Sequence, residues 1–123
     1  MMSFAHRYPR FMVDLPVAFF QAEGMLSGRC SDISATGMKA LFPRALERNS
    51  RGRIVVCHAG RSLDLEARVV YSGSESSGLE FVCDTPELQD AVSNFIAAVA
   101  ESRQRGVLLS MPTRCRIESG QFR

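Results

Sequence analysis

The sequence predicts a mainly β domain, about six short strands in a barrel or sandwich, followed by one α-helix towards the C-terminal end. Three observations carry this. Apolar and polar residues alternate at period two through most of the stretch from Val13 to Phe81. Turn residues interrupt the alternation at intervals of roughly 8–12 residues, the rhythm of a barrel or sandwich. At Thr85 the apolar period changes to three- and four-residue steps, as in an amphipathic helix.

In the first strand Val13, Leu15, Val17 and Phe19 fall on one face and Asp14, Pro16, Ala18 and Phe20 on the other. Pro16 lacks an amide donor and favours an edge position. Ala22-Glu23-Gly24 makes a turn, and a second strand runs from about Met25 to Asp32. Ser34-Ala35-Thr36-Gly37 is a turn whose side chains can bond the backbone. Met38 to Phe42 reads as the third strand, stopped by Pro43, and Arg44 to Gly52 reads as a loop. Arg53 to Cys57 is a β-branched strand, followed by a turn at Ala59-Gly60-Arg61. The clearest alternation follows, with Leu63, Leu65, Ala67, Val69 and Tyr71 on one side and Asp64, Glu66, Arg68 and Val70 on the other. After a Gly/Ser/Glu loop, Leu79 and Phe81 share one face of the last short strand.

Thr85-Pro86-Glu87-Leu88 is a helix start: a Thr cap, Pro at the first helical position and an acid in the first turn. Leu88, Ala91, Val92, Phe95, Ile96 and Val99 form its apolar stripe, and Gly106 is the expected stop. Val107-Leu108-Leu109 is too apolar for a free tail. It packs on its own domain or on a second subunit of a homodimer; both stay open at this point.

The 123 residues suit one domain with a core that needs neither metal nor disulfide. Apolar residues make up 46% and charged residues 23%, ordinary values for a globular chain. A formal charge of +2 is too small for bulk nucleic-acid binding, so no DNA partner is expected. Arginines dominate the cations, and lysine occurs once, at Lys39. That balance suits planar, bidentate recognition of phosphate or guanine edges, or else reflects base composition of the genome. Cys30, Cys57, Cys83 and Cys115 form no C-x-x-C pair, and His6 and His58 are the two histidines. The cysteines read as reduced, mostly buried thiols of a cytoplasmic protein, and no cofactor or metal is expected. No apolar h-region opens the chain and no run of about 18 apolar residues occurs, so neither secretion nor membrane insertion is expected.

Two short patterns then stand out: Asp32-Ile33-Ser34-Ala35-Thr36-Gly37, and upstream His6-Arg7-Tyr8-Pro9-Arg10. With the strand order, the terminal helix and Gly78-Leu79-Glu80-Phe81, they make the chain resemble the PilZ domains of bacteria from roughly Ala5 to Arg103. That family carries an Arg-x-x-x-Arg run before its first barrel strand and an Asp/Asn-x-Ser-x-x-Gly turn. The second motif is complete here. In the first, Arg10 stands at the second arginine, His6 at the first, and Arg7 one residue later.

The resemblance implies a six-stranded antiparallel β-barrel with a C-terminal α-helix. It divides the chain into an N-terminal arm (1–12), barrel plus helix (13–106) and a C-terminal extension (107–123). It also implies a ligand, the second messenger cyclic di-GMP, and a site made of Arg7, Arg10, Asp32, Ser34 and Gly37, with His6 beside them. The chemistry is coherent. An arginine fork pairs with guanine O6 and N7 or with phosphate oxygens, and its plane stacks on a purine. An ionised Asp32 accepts from guanine N–H groups. Ser34 offers a hydroxyl, and Gly37 allows positive φ or close approach of the ligand. On residue types alone a turn is the favoured reading of the same three residues: an Asx-turn at Asp32, a Ser34 hydroxyl bonded to its own backbone and a turn glycine.

Two readings follow. In one, cyclic di-GMP binding orders the arm and signals to a partner protein in motility, exopolysaccharide or developmental control. In the other, motivated by His6, the domain is an adaptor that binds no nucleotide and acts by protein contacts, for example in motility or polarity control. Catalysis is not expected: Asp14, Asp32, Asp64, Glu66 and Glu80 read as strand-face acids, and no nucleophile–base pattern accompanies them.

Overall fold

The computed structural model describes residues 8–104. His6, Arg7 and the extension at 107–123 lie outside the described residues, as does Gly106, the expected helix stop. Among the described residues the order is β1 (Phe11–Gln21), β2 (Gly24–Ile33), β3 (Gly37–Leu41), β4 (Arg51–His58), β5 (Arg61–Ser72), β6 (Ser77–Phe81) and α1 (Pro86–Gln104). The strands close into a barrel in the order β1-β2-β3-β6-β5-β4, with every neighbouring pair antiparallel. Closure gives each strand two partners and removes the edge that an open sheet would expose.

Local chemistry sets several joints. Ala59 and Gly60 take φ of 51° and 84°, the positive values that a type I′ two-residue hairpin needs at both positions, and they join His58 to its partner Arg61. Thr85 caps α1: its Oγ1 accepts from the Leu88 amide at 3.2 Å. Pro16 sits on a strand with partners on both sides, yet the ladder of β1 to β4 begins at Val17. Pro16 therefore faces β2 alone, through Arg29, and its missing donor disrupts no second ladder.

One expected boundary and one expected face are corrected. The loop expected to reach Gly52 ends at Ser50, because Arg51 and Gly52 pair with Arg68 and Ala67 and extend β4. In the α1 stripe Val92, Phe95 and Val99 are buried in the core and Leu88 and Ile96 pack against it, whereas Ala91 is exposed.

The core is one cluster inside the barrel. Leu15, Val17 and Phe19 of β1, Ile54 and Val56 of β4, and Leu63, Leu65, Ala67 and Val69 of β5 meet the α1 residues there. Cys30 and Cys83 are free thiols, and burial pushes the Cys30 thiol up to about 12. Cys57, buried in β4, is disulfide-bonded, which corrects the expectation of four reduced thiols. Cys115 lies outside the described residues. Among the described residues no helix is long and apolar enough to cross a membrane.

Candidate functional site

The site residues owe their direction to irregularities in the sheet. Along a regular strand, residues two apart share a face, so Cys30 and Asp32 would both point into the core. Instead the β2–β3 register shifts between them: Cys30 pairs with Ala40 in the core, and Asp32 pairs with Lys39. The extra residue, Ser31, sends its hydroxyl to the Lys39 carbonyl at 3.3 Å. Asp32 is thereby turned to the outer face, the re-aiming that a β-bulge performs. A second shift lies between Met12 and Leu15 on the neighbouring strand. A third lies between Val69 and Tyr71.

Arg10, just before β1, lies over Asp32. Its Nε donates to Asp32 Oδ1 at 3.0 Å, and one terminal nitrogen donates to the same oxygen. The other terminal nitrogen reaches Ser34 Oγ at 3.4 Å. The Asp32 side chain is only 10% exposed beneath this cover, against 47% for Arg10, so the guanidinium keeps an outward surface. Ser34 also organises its own turn: its Oγ accepts from the Thr36 amide at 3.2 Å, and its amide donates to the Gly37 carbonyl at 2.8 Å. Arg10, Asp32, Ser34 and the turn glycine are thus brought together in space.

Beside them runs an open groove of about 280 Å³. Arg10, Thr36, Gly37 and Met38 form one side, Arg68, Val70 and Tyr71 of β5 the other, and Gly78, Leu79 and Glu80 of β6 lie between. A Cβ at Gly37 would run into the Leu79 carbonyl oxygen. Gly37 therefore has a packing role, close approach of β6, and of the two uses expected for it, positive φ or close approach of a ligand, the first is not found, since its φ lies outside the left-handed region. A Cβ at Gly78 would run into the Tyr71 ring, which covers that glycine.

Beyond Arg10 and Gly37, the residues lining this groove were not foreseen as site residues, and Tyr71 and Arg68 bear most on its chemistry. Tyr71 was expected on the core face with Val69. The shift at Val70 turns it outward instead, and it is 47% exposed. The sequence holds one trace of this: Val69, Val70 and Tyr71 in succession break the alternation. Arg68 was correctly expected on the polar face. Only the fold brings it opposite Arg10, where it donates to Asn49 Oδ1 at 2.9 Å and to Glu80 Oε1 at 2.7 Å. Asn49 holds φ of 70° in the loop before β4.

Elsewhere the outer charges form a plain ladder on β4 and β5, Arg51 to Glu66 at 3.1 Å and Arg53 to Asp64 at 2.7 Å. His58 is buried between β4 and α1, bonded to Ser102 Oγ at 3.0 Å, and burial pushes its imidazole below the ordinary value. Among the described residues no group of His, Cys, Asp and Glu is arranged to hold a metal ion.

No curated protein matches the chain. Solved structures do. The PilZ domain of CeSA from a cellulose-synthesizing bacterium is 21% identical with a TM-score of 0.66, covering 75% of this chain and 98% of that one. The PilZ domain of YcgR from Escherichia coli, solved with c-di-GMP, is 18% identical with a TM-score of 0.67, covering 81% and 95%. The Bacillus subtilis inhibitor of motility, MotI/DgrA, is 19% identical with a TM-score of 0.60, covering 79% of this chain and 51% of that one. At these identities the likeness is one of fold, the six-stranded barrel with its helix. The family model described as PilZ domain matches residues 6–98, from the N-terminal motif well into α1, and the chain belongs to the PilZ domain family.

Proposed function

We propose that this domain is a cyclic di-GMP receptor that binds the dinucleotide beside the β2–β3 turn and relays its presence to a partner protein. The observation that carries the reading is the Arg10 guanidinium, held by Asp32 Oδ1 and Ser34 Oγ at the mouth of the groove. A fork so held is pre-oriented for a phosphate or for guanine O6 and N7. Asp32 Oδ2, which Arg10 does not use, accepts from guanine N1–H and N2–H. The arm carrying His6 and Arg7 supplies further contacts to the ligand, Arg7 as a second cationic fork. The arm with its bound ligand is the surface a partner reads, and the output is motility, exopolysaccharide or developmental control. These groups hold and orient charge; the role is that of a cytoplasmic, non-catalytic signalling protein. The likeness in fold to a YcgR domain solved with c-di-GMP supports the reading.

His6 favours a second reading. Neutral imidazole lacks the five-donor fork. Loss of one charge-assisted contact of about 1.5–3 kcal/mol weakens binding on the order of tenfold to a hundredfold. The second reading is a protein-binding adaptor on the same barrel, without a nucleotide.

Calorimetric titration of the full chain with cyclic di-GMP separates the two. Saturable heat in the wild type that vanishes in Arg10→Ala is the expected result. Silence in the wild type with binding restored by His6→Arg would overturn the receptor reading in favour of the adaptor.

A further inference from the structure

We infer that the β5 wall of the groove is the second half of the nucleotide site: Tyr71 is a stacking platform for a purine base, and Arg68 is the second guanidinium fork. The inference rests on the receptor reading above and assigns residues that the two sequence motifs leave out.

The shift at Val70 puts Arg68, Val70 and Tyr71 on one outer face, opposite Arg10 across the groove. Tyr71 is braced from beneath, because its ring occupies the space that a Gly78 side chain would take. It still keeps 47% of its surface exposed. A braced, half-exposed ring loses little freedom on binding and offers a π-face that any base accepts. Arg68 is braced too, by Asn49 from the loop before β4 and by Glu80 from β6. Those bonds use two of the five N–H donors of a guanidinium and leave the others for a ligand. Glu80 is the one carboxylate residue lining the groove among the described residues, and Arg68 pairs with it. The walls therefore present two guanidinium groups around an aromatic surface. That composition fits a ligand with both phosphates and purines better than an inorganic anion or an apolar peptide. It also supplies, from the barrel itself, the fork that His6 does not.

A purely structural role would have Tyr71 only covering Gly78 and Arg68 only pairing with Glu80. The test exploits composition: the full chain has two tyrosines and no tryptophan. In a Tyr8→Phe background Tyr71 is the sole fluorescent reporter, so stacking on guanine quenches its emission without altering the platform. Titration with cyclic di-GMP is followed by this emission and by calorimetry. Tyr71→Ala is expected to weaken binding on the order of tenfold to a hundredfold. Tyr71→Phe keeps the ring and stays within about threefold of the wild type, well under the loss of a whole stacking contact. Arg68→Lys keeps the charge but not the fork and weakens binding about tenfold or more. Thermal unfolding of each variant checks that it is folded. Saturable heat with unquenched Tyr71 emission, or undiminished affinity in Tyr71→Ala and Arg68→Lys, would overturn the inference while leaving the receptor reading intact. Absence of heat in the wild type would overturn both.

Discussion

On the β4–β5 face, Arg51 bonds Glu66 and Arg53 bonds Asp64 while the two strands keep register from Arg51↔Arg68 to His58↔Arg61. On the groove side Arg10 bonds Asp32, and the register breaks near it three times, at Met12/Leu15, Cys30/Asp32 and Val69/Tyr71. Both faces carry arginine–carboxylate pairs, so charge does not tell them apart. Regularity does. Where the pleat is unbroken, the partners remain in water, the Arg51 and Glu66 side chains being 59% and 47% exposed. At the Cys30/Asp32 break a carboxylate is drawn under a guanidinium, and at Val69/Tyr71 an aromatic ring is turned out, whereas Asp14, inside the Met12/Leu15 break, pairs with Arg29 in water. A pair in water is worth about 0–1 kcal/mol, whereas a buried carboxylate stripped of its partner is costly.

Four substitutions or conditions break or sharpen this contrast. The largest effect is expected from Gly37→Ala, which drives a methyl into the Leu79 carbonyl oxygen, part of a backbone that cannot swing aside. A loss of about 3 kcal/mol, the upper end for overpacking, should appear in urea denaturation. An unchanged midpoint would mean that the β3–β6 approach is loose enough to admit a methyl group. Next, Arg10→Ala strips the cover from Asp32 and should cost about 2 kcal/mol by the same assay, besides abolishing nucleotide binding. Adding Asp32→Asn to that variant should recover part of the loss, since a neutral amide bears burial better.

A smaller effect concerns His58, away from both faces. Burial lowers its pKa below 6.5, and the neighbouring Arg61 acts in the same direction, against the Ala98 backbone, which raises it. The unfolded chain therefore takes up the proton first. Stability is full above pH 6.5 and falls as the pH drops below it, towards the depressed folded value. Thermal melts across this range should show the decline in the wild type, and a flatter profile in His58→Gln. Equal slopes would remove His58 as the cause. The smallest effect belongs to the ladder. A double-mutant cycle on Arg53 and Asp64 should give a coupling below about 1 kcal/mol that shrinks with added salt. A larger, salt-insensitive coupling would remove the distinction between the two faces.

Much of the scaffold was legible in the residues. Thr85-Pro86 announced the helix start, Ala59-Gly60 the turn, and the β1 and β5 alternations put Leu15, Val17 and Phe19, and Leu63, Leu65 and Val69, on shared faces that the fold places in the core. The resemblance pointed to Arg10, Asp32, Ser34 and Gly37, and the fold brings these four together. Less legible were the reason for Gly37, which lies in the backbone of β6, and the outward turn of Tyr71. Arg51 and Gly52 read as loop because their strand character comes from their partners on β5.

The sequence by itself determined which segments are strands, where the helix begins and which face of each regular stretch is apolar. Those properties follow from neighbours along the chain: side-chain alternation, caps and turn residues. Only the tertiary structure decided where the pleat slips, and so that Asp32 and Tyr71 face outward and that Arg68 stands across from Arg10. A period-two pattern assigns faces only while register holds, and register is set between strands that closure of the barrel brings together.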